Sequence, residues 1–198
     1  MPVSEFHRSG ISDIYISSII RPTGLKSYVL TGLFAGIAIA AGYMLISVPN
    51  VEAITATLFL AGYTLGTERG ILASLITVIV FFGLNPQGGM FPPLLLAQAF
   101  GLAIASVAGV IFSKLETLNK YVNLALILVL SLITTLLYDL LTNLAFPIAA
   151  GLNFKGILIT LGAGIPFAII HLVSNVLIFL ALVPPVIMTL NKSLLSNR

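Results

Sequence analysis

Long apolar stretches constrain this chain more than any other feature of its sequence. Residues 27–48 contain no charged side chain, and residues 126–137 read LILVLSLITTLL. A helix that crosses the hydrocarbon core of a bilayer needs about 20 predominantly apolar residues. The strands of a membrane β-barrel would instead alternate polar and apolar residues over about ten positions, which this sequence does not do. The pattern therefore predicts an all-α integral membrane protein.

Composition excludes the soluble classes of protein. Of the 198 residues, 59% are hydrophobic and 8% are charged, whereas a soluble domain has about 25% charged residues and needs them to form a polar surface. The formal net charge is only +3, with no basic run that would bind nucleic acid. The chain has no cysteine, no P-loop, no HExxH pair and no GxSxG turn. We therefore expect no enzyme activity, no metal site and no cofactor.

Six stretches come close to the length of a membrane-spanning helix. They are residues 27–48, 51–66, 70–84, 91–112, 122–146 and 156–183. The second and third are separated because a single bent helix would place Glu68 and Arg69 in hydrocarbon, at a cost of about 2.5–3.5 kcal/mol each. The sequence predicts a charged turn at 66–70. It further predicts a six-helix transmembrane bundle over 27–190, preceded by a cytoplasmic arm (1–26) with a short interfacial helix and followed by a cytoplasmic tail (191–198).

Positive charge falls on one side of this six-span arrangement. That side would carry eight basic residues: Arg8, Arg21, Lys26, Arg69, Lys114, Lys120, Lys192 and Arg198. The other side would carry only Lys155. Because short cytoplasmic loops are enriched in Lys and Arg, the asymmetry predicts that both termini are cytoplasmic.

Polar side chains gather toward the opposite, external side. A few polar groups that come from several elements over an apolar wall are typical of a small-molecule site. The candidate substrate-binding residues are Asn50, Glu52, Asn85, Gln87, Tyr138, Asp139, Asn143, His171 and Asn175. Each also has a plainer interpretation. Asp139 would be an acid solvated at the outer interface. Glu52 would be an ordinary interfacial acid at the start of the second segment, favoured there by the helix dipole, and His171 would hydrogen-bond a Ser, Thr or Asn of a neighbouring helix.

Small residues form two stripes with a spacing of four. The first segment carries Gly32, Gly36 and Ala40, and the fourth carries Ala97, Gly101, Ala105 and Gly109. Such stripes let two helices approach closely, either inside the bundle or at the surface of another membrane protein. The sequence leaves both alternatives open.

Four local stretches resemble a known family. They are PNVEAITATLFLAGYTLGTERG (49–70), FFGLNPQGG (81–89), YDLLTN (138–143) and PFAIIHLVSN (166–175). In this order, over nearly all of residues 27–190, they resemble the S components of energy-coupling factor (ECF) transporters, the vitamin importers of bacteria and archaea.

The resemblance implies a multi-pass protein of the cell membrane that captures a vitamin or similar cofactor precursor in an outward-facing pocket. Its implied partners are a membrane-embedded T component and two cytoplasmic ATPases, which would use the ATP. The family docks through Ala-x-x-x-Ala in the first span, and Gly32, Gly36 and Ala40 occupy the equivalent stripe here. Metal-transporting members bind through a histidine at the second residue; this chain has Pro2, so a metal substrate is disfavoured.

Two other functions remain open at this level. One is a stand-alone secondary transporter in which Asp139 or Glu52 couples transport to protons. Such transporters often contain inverted repeats and helices broken by Gly or Pro in both halves, whereas here we expect a break only at Pro166. The other is a ligand-free membrane scaffold, which would not need polar groups on one external face.

Overall fold

The computed structural model describes residues 21–85 and 91–196, with side chains through residue 190. All regular structure in these ranges is helical. The helices are α1 (Gly24–Leu45), α2 (Ile54–Leu65), α3 (Thr67–Thr77, continued by a π-helical turn at Val78–Phe82), α4 (Pro92–Leu115), α5 (Lys120–Ala149) and α6 (Phe154–Ser196). The prediction of an all-α membrane protein is confirmed. Four of these helices, α1, α4, α5 and α6, are long and apolar enough to cross a membrane.

The ends of the bundle differ from the sequence prediction. Helix α1 begins at Gly24 rather than at residue 27, and α6 continues to Ser196, into the segment predicted as a tail. Most of the predicted arm, residues 1–20, lies outside the described residues. Helix α6 also runs through Pro166 without a break. Proline removes one backbone donor, and the helix tolerates this loss because its other hydrogen bonds remain in place.

A single glycine joins α2 to α3. Gly66 has φ 86°, a conformation that glycine adopts without strain, and it ends one helix and starts the next. The predicted turn at 66–70 is therefore shorter, because Thr67 to Gly70 already belong to α3. Arg69 stays at the helix end and lies over the ring of Tyr28, 3.7 Å from its centroid. The charges still avoid the apolar interior.

Helix α2 lies at the centre of the bundle. Thr64 is its one residue that is not buried, and the helix contacts α1, α3, α4 and α6. With 12 residues it is about 18 Å long, too short to cross a bilayer alone. Because other helices surround it, α2 takes its apolar environment from protein rather than from lipid.

Glycines set the close packing of α2 against α4. A Cβ at Gly109 would overlap the carbonyl oxygen of Phe59, and a Cβ at Gly62 would overlap that of Ser106. The Ser106 hydroxyl in turn donates to the carbonyl of Leu58 at 3.1 Å. Gly101 faces the Tyr138 ring on α5. The small stripe of α4 therefore serves internal packing, which decides between the two alternatives left open for it.

An aromatic cluster fills the half of the core nearer the α2–α3 turn. The ring of Phe59 contacts those of Phe112 and Phe179 at centroid distances of 5.8 and 5.3 Å. Tyr63 donates its hydroxyl to Glu116, just beyond the end of α4, at 3.1 Å. Burial raises the pKa of the Glu116 carboxyl, and the hydrogen bond from Tyr63 opposes this rise. The buried side chains of this half of the core pack into one continuous apolar cluster.

The glycine contacts lead to a prediction about stability. Gly109→Ala should destabilise the protein by about 1–3 kcal/mol or more, because its Cβ meets backbone that cannot move independently. Gly36→Ala is the matched control, since a Cβ at Gly36 meets no atom within 4 Å. Thermal unfolding in detergent measures both variants. Equal unfolding temperatures for the two variants would contradict this account of the α2–α4 contact.

Candidate functional site

A cavity of about 280 Å³ opens at the end of the bundle away from Gly66. Its walls come from the loop before α2, the end of α3, and helices α4, α5 and α6. The lining residues are Asn50, Val51, Glu52, Ile54, Thr55, Phe81, Phe82, Gln98, Leu102, Tyr138, Asp139, Thr142, Asn143, Phe167, Ala168 and His171. The cavity therefore combines an aromatic wall with polar groups from four parts of the chain.

Helical spacing explains how two helices present their polar groups together. On α5, Tyr138, Asp139, Thr142 and Asn143 lie within about one turn of each other, so they face the same space. On α6, Phe167 and His171 are four residues apart and share a face for the same reason.

His171 connects two carboxylates from different elements. Its Nδ1 is hydrogen-bonded to Oδ1 of Asp139 at 2.6 Å, and its Nε2 lies 3.5 Å from Oε1 of Glu52. All three side chains are mostly buried, with 6% of His171, 13% of Asp139 and 21% of Glu52 exposed. The predicted polar contact of His171 exists, but its partners on neighbouring elements are acids rather than the Ser, Thr or Asn of the plainer interpretation.

Glu52 also caps the start of α2. Its Oε2 accepts from the backbone N–H of Thr55 at 2.9 Å, and its Oε1 accepts from the Thr55 hydroxyl. The first turn of a helix leaves N–H groups without partners, and a carboxylate there is favoured by the helix dipole. Glu52 thus fills the capping role of the plainer interpretation and lines the cavity at the same time.

A second layer holds the His171 ring in place. Asn175, fully buried one turn further along α6, donates from Nδ2 to the hydroxyl of Thr135 at 3.0 Å. The same nitrogen lies 3.3 Å from Nε2 of His171. Asn175 therefore supports the imidazole from below and does not itself line the cavity.

The loop before α2 is tied to α6. Ser174 donates its hydroxyl to the carbonyl of Asn50 at 2.8 Å. Asn50 has φ 59°, in the left-handed region that asparagine tolerates better than most residues. This bond places Asn50 and Glu52 over the α6 face that carries His171.

The structure brings six of the nine predicted site residues to the cavity wall. They are Asn50, Glu52, Tyr138, Asp139, Asn143 and His171. Asn175 lies behind the wall, and Asn85 follows the π-helical turn without lining the cavity. Gln87 lies outside the described residues. The rings of Phe81 and Phe82 line the cavity on the side of this loop, and a role of Asn85 in substrate binding stays a prediction.

Sequence reasoning missed Gln98 and most of the aromatic wall. Gln98 is the one amide in the apolar helix α4. A polar side chain in a spanning helix usually faces a cavity, so this residue could have been identified from the sequence. Phe81, Phe82 and Phe167 gave no such signal, since apolar residues surround them in the sequence. Tyr138 and His171 meet edge to face, with ring centroids 5.7 Å apart.

Two buried acceptors of the cavity wall, Oε1 of Gln98 and Oδ2 of Asp139, have no hydrogen-bond partner within the protein. Behind the wall, Oδ1 of Asn175 also has none. The described residues that line the cavity include neither Lys nor Arg. In the part of the chain that the structure describes, no group of three His, Asp or Glu side chains is arranged to hold a metal ion. The site is suited to binding an organic molecule by hydrogen bonds and ring contacts.

Comparison with protein-family models, curated proteins and solved structures finds no match for this chain.

The contact of His171 with the two acids leads to a stability prediction. His171→Ala should destabilise the protein by about 3–5 kcal/mol, because it leaves the buried carboxylate of Asp139 without its partner, while Glu52 keeps its bonds from Thr55. Adding Asp139→Asn should restore part of that loss, since it removes the uncompensated charge. Thermal unfolding of the parent, both single variants and the double variant measures this coupling. Strictly additive effects would mean that the two side chains are not energetically paired.

Proposed function

We propose that this chain is the substrate-capture subunit of an ATP-driven importer, similar to the S components of ECF transporters, and that the cavity binds a vitamin or similar small cofactor precursor. The observation that carries the proposal is the cavity itself. It has a polar floor of Glu52, His171 and Asp139, an aromatic wall, and buried acceptors that the protein leaves unpartnered. An unpartnered buried acceptor costs about 1–3 kcal/mol, a cost that a bound ligand with a donor would offset.

The proposed topology has six spans with both termini in the cytoplasm. In it α2 and α3 form a short pair that turns at Gly66, and α2 is shielded from lipid by its neighbours. The basic residues Arg21, Lys26, Arg69, Lys114 and Lys120 then share the cytoplasmic end. The cavity opens at the other end, toward the outside. A tag at residue 198 that is accessible from outside intact cells would contradict this orientation.

The exposed face of α1 supports docking to a membrane partner. A Cβ added at Gly32 or Gly36 would meet no atom of another helix within 4 Å. Ala40 is exposed on the same face of α1. Beside them Val29 and Leu33 are also exposed, at 61% and 53%. We propose that this face meets the T component, which couples to the two ATPases. The contrast with the buried stripe of α4 supports this assignment.

A proton-coupled secondary transporter is the second candidate. The observation that favours it is the buried contact of His171 with Glu52 and Asp139, a set of groups that can exchange protons. The two candidates differ in their energy source. Uptake by the chain alone, driven by a proton gradient, would favour the second candidate, and uptake that requires partner ATPases would favour the first.

Retention of a small molecule tests the binding function directly. We expect native mass spectrometry of the gently purified parent protein to show an adduct with the mass of one small organic molecule. Asp139→Asn should lose that adduct or weaken it about tenfold or more, because a hydrogen bond to a charged group contributes about 1.5–3 kcal/mol. A folded parent without any adduct, after expression in rich medium, would favour a ligand-free scaffold instead.

Docking through α1 can be separated from binding. Gly36→Leu should leave ligand binding and thermal stability unchanged but should abolish uptake and copurification of the T component. Gly162→Leu on α6 is the matched control, because a Cβ at Gly162 also meets no atom within 4 Å. We expect this control to transport normally. Equal loss of uptake in both variants would show that the effect is not specific to the α1 face.

A further inference from the structure

We infer that the ligand of this cavity is a small organic cation whose N–H groups are carried on or beside a flat ring. The inference rests on the proposed binding function and names its substrate class. It is drawn from the charge of the lining, from the hydrogen-bonding groups left free, and from the size and ring content of the cavity.

The charge of the lining favours a cation. Glu52 and Asp139 contribute two carboxylates, and among the described residues that line the cavity only His171 can carry a positive charge. The lining thus holds two acidic groups against one imidazole, so that fully ionised side chains would give it a net negative charge. Lys155, the basic residue of this end of the bundle, is exposed and does not line the cavity. Charges interact more strongly away from water, so an anionic ligand would meet repulsion without a compensating partner.

Two buried polar atoms of the wall that have no partner within the protein are acceptors. Thr142 donates its hydroxyl to the carbonyl of Tyr138 at 2.9 Å, and Asn143 donates its amide to that of Asp139 at 2.8 Å. The hydroxyl donor of Thr142 and one of the two amide N–H donors of Asn143 are thus used within α5. In contrast, Oε1 of Gln98, whose side chain belongs to a residue only 8% exposed, has no partner, and neither has Oδ2 of Asp139. A ligand that satisfies these atoms must bring hydrogen-bond donors.

The volume of the cavity and the aromatic rings in its wall further restrict the class of ligand. A protein cavity of about 150 Å³ binds benzene. A cavity of about 280 Å³ therefore holds roughly twice as many heavy atoms, on the order of a dozen. Rings from Phe81, Phe82, Tyr138 and Phe167 line it. Such rings pack against a flat ligand, and their faces attract a cation.

Three probes of one shape test the inference. Benzamidine, benzamide and benzoate have the same number of heavy atoms and differ in charge, being cationic, neutral and anionic at neutral pH. We would titrate each into the detergent-purified full chain, freed of any retained ligand, and measure Kd by calorimetry and by the shift in Tm. Benzamidine should bind at least about tenfold more tightly than benzoate, with benzamide between them, because only the cation supplies donors and charge together.

Two variants serve as the matched comparison. Asp139→Asn should reduce the preference for benzamidine over benzoate at least about threefold, since it removes one lining carboxylate without changing the shape. Glu116→Gln makes the same change of charge at the other end of the bundle and should leave the preference unaltered. If Asp139→Asn does not fold, the Kd values of the three probes for the parent protein are sufficient to test the cationic class.

Failure of this inference is distinct from failure of the proposed function. Benzoate binding as tightly as benzamidine, or no binding of any probe, overturns the cationic class. Retention of an anionic molecule by the purified protein also overturns it, yet leaves a substrate-capture subunit in place. Loss of the proposed function would instead show as uptake independent of partner ATPases, which the probe titrations do not measure.

Discussion

The contact of His171 with Asp139 and Glu52 links the three parts of the chain that define this end of the bundle. Two polar side chains in an apolar bundle are costly unless they find each other, and here the 2.6 Å bond from the imidazole to Asp139 joins α6 to α5. The approach of Glu52 at 3.5 Å adds the start of α2. A water-excluding environment strengthens these interactions, so they fix the register between helices that otherwise offer only apolar surfaces.

Glycine packing provides the complementary constraint in the rest of the core. The close approach of α2 and α4 at Gly62 and Gly109 leaves no space for ligand or water there. Ser106 completes that contact by hydrogen-bonding Ser74 at 2.8 Å. Small residues of α4 face α2 on the side of the Gly66 turn, whereas the larger Gln98 and Leu102 of the same helix line the cavity.

The proposed binding of substrate and the proposed docking to a partner involve two separate surfaces of the bundle. The cavity lies between α4, α5, α6 and the loop before α2, while the open glycines lie on the outer face of α1. Helix α1 does not contribute a lining residue to the cavity. This separation permits a partner to bind α1 without covering the cavity. It also explains why the docking and binding functions can be tested with different substitutions.

The sequence by itself determined the class of the protein, because continuous apolar stretches with few charges are stable only as helices in a bilayer. It also identified most of the polar cavity residues, since a charge or amide in an apolar helix is rare enough to stand out, as Asp139, His171 and Glu52 do. The role of each stripe, the partners of His171 and the aromatic wall were decided only by the tertiary structure. Gly36 and Gly109 have the same local spacing, and only the position of the neighbouring helices leaves one open and buries the other. Phe81 and Phe167 likewise differ from other apolar residues only in what lies across from them, which depends on contacts far apart in the chain.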